Sequence, residues 1–119
     1  MTWSRVLLLL LPLAGASCTT LPPPVVTERF NGDYAKLAAC AYERASQDDM
    51  TNLRFSDLRA ANTAMINKEV SGTPIWEAKF IKDGANSSRV EIRAFPTIWG
   101  PELHARNIQD HIRACATQG

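Results

Sequence analysis

Arg89-Val-Glu-Ile-Arg-Ala-Phe95 is the stretch that decides the fold. Val90, Ile92 and Ala94 alternate with Arg89, Glu91 and Arg93, a period of two that puts an apolar row and a charged row on opposite faces of a strand. Such alternation belongs to an antiparallel sheet with one covered and one wet face. Upstream, Ile75-Trp-Glu-Ala-Lys-Phe-Ile-Lys82 repeats the pattern with Trp76, Ala78 and Phe80 on one side. Asp83-Gly-Ala-Asn-Ser87 supplies the turn residues of a hairpin between the two. Asn52-Leu-Arg-Phe-Ser56 reads as a further strand with Leu53 and Phe55 together, and Ser71-Gly-Thr-Pro74 as a turn. Within residues 57–73, Leu58–Ile66 fits either a short helix or a strand, and strand is the preferred reading.

Two helices flank this sheet. Asp33 is placed to cap the first, where its carboxylate can accept from the unpaired N–H groups of the opening turn. Tyr34, Leu37, Ala38, Ala41 and Ala45 recur at helical spacing, and the polar run Ser46 to Asp49 ends the pattern. This stripe is mostly alanine, so a neighbour can approach it closely. Gly100-Pro101 opens the last helix, whose stripe is Ala105, Ile108, Ile112, Cys115 and Ala116. Cys40 borders the first stripe. The order predicts an α+β domain over residues 31–119: an antiparallel sheet of three to four strands, with an N-terminal and a C-terminal helix on one face.

The N-terminus is of another character. Arg5 precedes Val6–Leu13, an apolar run of eight residues, and Ala14-Gly-Ala-Ser-Cys18 follows. Charge, short apolar core and small residues make an export signal over residues 1–17, since spanning a bilayer takes about twenty apolar residues. Residues 18–30 then read as a tether. Three consecutive prolines, Pro22 to Pro24, favour an extended spacer of about 30 Å at roughly 3.1 Å per residue. In an oxidising compartment Cys40 and Cys115 most simply pair, each on one of the two helices. The bridge would close a loop worth about 4–4.5 kcal/mol by the chain-entropy relation. Two buried free thiols are the alternative; a redox pair lacks its C-x-x-C spacing.

Of the 119 residues, those after the signal suffice for one domain near the lower limit of a self-sufficient core. Thirteen Lys and Arg face twelve Asp and Glu, and Arg5 is the only charge in the signal, so the remainder balances near zero. No basic cluster supports nucleic-acid binding or a polybasic lipid patch.

Candidate chemistry is thin. His104, His111 and Cys115 fall within about 40° of one another on a helix, and His111-x-x-x-Cys115 has ligand-like spacing. A border position suits an amphipathic imidazole equally well, and Cys115 has a partner in Cys40. Ser46, Ser56, Ser71, Ser87 and Ser88 lie in no G-x-S-x-G context. Asp48-Asp49 reads as a solvated helix end and Asn86-Ser-Ser88 as a turn. No catalytic, cofactor or metal residue is therefore assigned. Aromatics are more suggestive: Phe95, with parity opposite to Val90, Ile92 and Ala94, joins Ile98 and Trp99 as a candidate partner surface. Packing beneath the last helix is the plainer alternative.

Ala14–Cys18 resembles the lipobox of bacterial lipoproteins, with Ala16 and Ser17 at the small positions and Gly15 where an aliphatic is usual. The resemblance implies that the Cys18 thiol receives a diacylglyceryl group, that the peptide is cut before it, and that the new amino terminus is acylated. With Thr19 rather than aspartate next, it also implies outer-membrane sorting, facing the periplasm. Ala14-Gly15-Ala16 is equally an A-x-A site, so cleavage before Ser17 and a soluble periplasmic form stays open, as does an apolar N-terminal helix buried in the fold. Lipobox, tether, cysteine-bearing helix, strands and a second cysteine-bearing helix together resemble small proteobacterial lipoproteins. That likeness implies a fold and a lipid anchor but no activity. The expectation is a non-catalytic envelope module held by membrane lipid and partnered by an envelope protein; the alternative is a periplasmic carrier of small molecules or lipid.

Overall fold

A computed structural model describes residues 22–48, 52–95 and 101–118. Its elements are β1 (Val26–Asn31), α1 (Tyr34–Asp48), β2 (Leu53–Leu58), a 3-10 turn (Arg59–Ala61), β3 (Thr63–Val70), β4 (Thr73–Lys82), β5 (Ser87–Ala94) and α2 (Pro101–Gln118). The domain is α+β, and its sheet has five strands in the order β1-β5-β4-β3-β2. Every neighbouring pair is antiparallel. Strands β2 to β5 form a meander, and α1 carries the chain from one sheet edge to the other.

The count of five corrects the expected three to four, and most of the difference lies in β1. Residues Val26 to Phe30, read from sequence as tether, pair with β5 from Val26↔Ile92 to Asn31↔Ser87. Alternation in β1 is masked by Glu28, which sits between Val26 and Phe30 on the helix side. Glu28 is accommodated there because its Oε1 accepts from Gln109 Nε2 at 2.8 Å and from Arg113 Nη2 at 3.3 Å, both on α2. The folded part therefore begins well before Asn31. Residues 63–70 are strand, and the helical alternative over Leu58–Ile66 does not hold. Asn62 ends the 3-10 turn in the left-handed region at φ 51° and reverses the chain into β3.

Local chemistry sets the remaining boundaries. Asp33 caps α1: its Oδ2 accepts from Ala35 N at 3.1 Å and Lys36 N at 3.0 Å. The β3–β4 hairpin turns on Ser71 and Gly72, at φ 52° and 80°, the paired positive values that match strand twist in a two-residue loop. Pro74 lies in interior strand β4 but has no N–H for the ladder, and the register shifts opposite it between Lys68 and Glu69. In the β4–β5 hairpin, Asp83 N donates to Ser87 O and Ser87 Oγ donates to Asp83 O.

Both helices cover one face. Phe80, Ile66, Ile92, Val90, Ile108 and Ile112 are fully buried between the layers. Ala38 and Ala41 of α1 are likewise closed to solvent, as their small size allows. Buried Ser88 has its hydroxyl satisfied by Gly32 O at 2.8 Å. Cys40 and Cys115 are bridged, joining α1 to α2 with their Cα atoms 5.9 Å apart. The edge strand β2 is thinly covered: Phe55 remains exposed and meets Tyr42 of α1 edge-on, ring centroids 5.6 Å apart. Truncating Ile112→Ala opens a cavity at the centre of the helix layer and is expected to cost about 2–5 kcal/mol in urea unfolding. A loss below about 0.5 kcal/mol, the range of surface substitutions, would contradict this placement.

Candidate functional site

Three regions come into question: the uncovered face of the sheet, the mouth of the helix–sheet sandwich, and the corner where β5 ends.

The uncovered face follows from strand parity. Register sets Lys79 opposite Glu91 and Glu77 opposite Arg93, so charges of opposite sign alternate across β4 and β5. Arg93 is the hub. Its Nη1 lies 3.4 Å from Glu91 and 3.7 Å from Glu77, its Nε donates to Pro22 O at 3.1 Å, and its side chain is only 16% exposed. Arg29 pairs with Asp83 at 2.8 Å and Arg89 with Glu91 at 3.4 Å. No helix of the described residues lies over this face, which is charged but half-buried by the mutual packing of its own side chains. Sequence alternation predicted the wet row of β5; it could not supply the cross-strand pairing, which depends on register.

The mouth lies where α1 ends and α2 begins. Ala45, Leu53, Lys68, Trp76, His104 and Ile108 line a cleft of about 170 Å³ there. That is below the roughly 300–1,000 Å³ of small-molecule sites. A larger hollow of about 350 Å³ lies beside the disulfide, between Asn31, Lys36, Asn86 and Cys115, and opens to solvent. Both are bordered by core side chains, Trp76 and Ile108 at the cleft and Leu37 at the hollow. His111 borders the smaller cleft and meets Asp48 across the helix pair, Nε2 to Oδ2, at 3.2 Å. His104 and His111 share the smaller cleft, whereas Cys115 lines the hollow by the disulfide; its sulfur is bonded to Cys40 and presents no thiolate to a metal or a substrate. Among the described residues, no group of three or more His, Cys, Asp or Glu is placed to hold a metal ion. Ser87 and Ser88 spend their hydroxyls on backbone carbonyls.

At the corner, Phe95 is half-buried and its N–H donates to Ile75 O at 2.9 Å, extending the β4–β5 ladder by one bond. Its parity places it with Ile75 on the uncovered face, as the alternation indicated. Ile98 and Trp99, the other members of the candidate partner surface, lie outside the described residues, as do Cys18 and Asp49. Arg59 and Asp57 form an exposed pair at 2.8 Å; the hydrogen bond to Asp57 and then its charge raise the Arg59 pKa, but the pair stands apart from all three regions.

Compared with known proteins, the chain matches no family model and no curated sequence. No described helix is long and apolar enough to cross a membrane. The cleft is too small for a lipid tail and the larger hollow is open to solvent, so a Cys18→Ala form is expected to show no saturable uptake of a fluorescent fatty-acid analogue at micromolar concentration. Saturable uptake, displaced by unlabelled fatty acid, would instead indicate a cavity for lipid.

Proposed function

We propose that this protein is a lipid-anchored, non-catalytic envelope module that docks on another envelope protein through the uncovered face of its sheet. The observation that carries the reading is the one-sided helix layer. It leaves β4 and β5 presenting a rigid, patterned row of charges around Arg93, with both helices spent on the opposite face. Complementary charge patterns of this kind give register and on-rate to protein encounters. The filled helix–sheet interface favours an interaction module over a carrier, which needs an internal cavity. The lipid anchor rests on the resemblance of Ala14–Cys18 to a lipobox, and the periplasm-facing outer-membrane location on Thr19 following the cysteine.

The test places a photo-crosslinking amino acid at Lys79, on the uncovered face, or at Asp110, on the exposed side of α2, in the full-length protein. Irradiated cells are expected to yield one discrete crosslinked protein from position 79 and none from position 110, with the product sedimenting with membranes. The Cys18→Ala form is expected in the soluble periplasmic fraction. Equal crosslinking from both positions would remove the sheet face as the docking surface, and membrane retention of Cys18→Ala would remove the lipid as anchor.

A further inference from the structure

Resting on the lipid-anchor reading above, we infer that the domain stands end-on to the bilayer. In this orientation the end where β1 starts, β5 finishes and the β3–β4 hairpin turns is seated at the lipid surface.

The first ground is the length of the leash. The Pro-rich run is not all free spacer: Val25 N donates to Ile92 O at 2.7 Å, and the Pro22 carbonyl is held by Arg93 Nε. Only four residue steps separate Pro22 from Cys18. Fully extended, they reach about 14 Å. That is half or less of the spacer length read from composition. A thiol whose acyl chains are buried in the bilayer therefore holds this end of the sheet close to the headgroups.

The second ground is what this end displays. Cross-strand pairing runs in one row from Leu53 to Lys68, Trp76 and Ala94, and Val26 opposite Ile92 puts the start of β1 at the same end as the Ser71-Gly72 turn and Phe95. Of the large apolar side chains exposed in the described residues, Val25 at 40%, Val70 at 42% and Leu103 at 47% flank this end. Half-buried Ile75 and Phe95 lie between them. The opposite end carries Gly84, Ala85 and Asn86 at the β4–β5 hairpin and a single exposed large apolar side chain among the described residues, Leu58 at 45%, opposite Thr63. Apolar tips gain by partial burial at an interface. Seated this way, the uncovered sheet face stands perpendicular to the membrane and open to a neighbour.

The test uses the full-length acylated protein in phosphatidylethanolamine and phosphatidylglycerol vesicles carrying a headgroup-nitroxide lipid. A fluorophore is attached without reduction at Val70→Cys, at Thr73→Cys on the same hairpin, or at Ala85→Cys at the far end. Quenching is expected to be several-fold stronger at positions 70 and 73 than at 85. Two hairpin positions keep the result readable if one variant misfolds. Equal quenching at both ends of a protein whose intact mass shows acyl chains on Cys18 overturns the orientation alone. An intact mass lacking those chains overturns the lipid anchor and the orientation with it.

Discussion

The Cys40–Cys115 bridge holds the helix layer of this domain together. It joins the middle of α1 to the end of α2 across 75 residues of chain, so both helices must lie side by side on the same sheet face. A domain of this size buries a modest core, and its stability is expected within the usual 5–15 kcal/mol. A cross-link over so long a loop is worth about 4–4.5 kcal/mol in the chain-entropy description. The alanine stripe of α1 explains why help is needed. Ala38, Ala41 and Ala45 permit close approach but bury little area each, so much of the apolar weight on that side falls to Leu37 and Tyr34 and to Ile108 and Ile112 of α2.

One covered face implies one uncovered face, and the charge arrangement follows. A two-layer fold must make its outer strand rows compatible with water, and β4 and β5 do so by setting Lys79 against Glu91 and Glu77 against Arg93. Isolated surface pairs of this kind add little stability. A half-buried hub such as Arg93, which also holds the Pro22 carbonyl, has a further consequence: it fixes where the chain from the N-terminus meets the domain. The same guanidinium thus links the electrostatics of the open face to the orientation proposed for the domain at the lipid surface.

What the sequence made legible depended on whether a residue pattern had one meaning. Strand β5 was plain because every second residue is charged, and α1 because Asp33 and the alanine stripe agree. Strand β1 was hidden behind three prolines, with Glu28 at an inward position whose partners, Gln109 and Arg113, are more than eighty residues away. Strand β3 was ambiguous because its inward Ala64 and Ile66 are followed by Lys68, and apolar Met65 interrupts the otherwise polar opposite row. The pairing of Cys40 with Cys115 was legible from the resemblance of residues 1–17 to an export signal and from helix placement together. The open-face network was not, since register determines which charges meet. Nor was the cleft, whose walls come from α1, β2, β3, β4 and α2 and share no local motif.

The most direct measurement of this account is the urea unfolding free energy of the oxidised protein against the same protein reduced and alkylated at Cys40 and Cys115. A bridge that holds the helix layer in place gives a loss of about 2–4.5 kcal/mol on reduction, with Cys40 and Cys115 unreactive to alkylation beforehand. Free thiols in the untreated protein, or an unchanged unfolding midpoint after reduction, would contradict it.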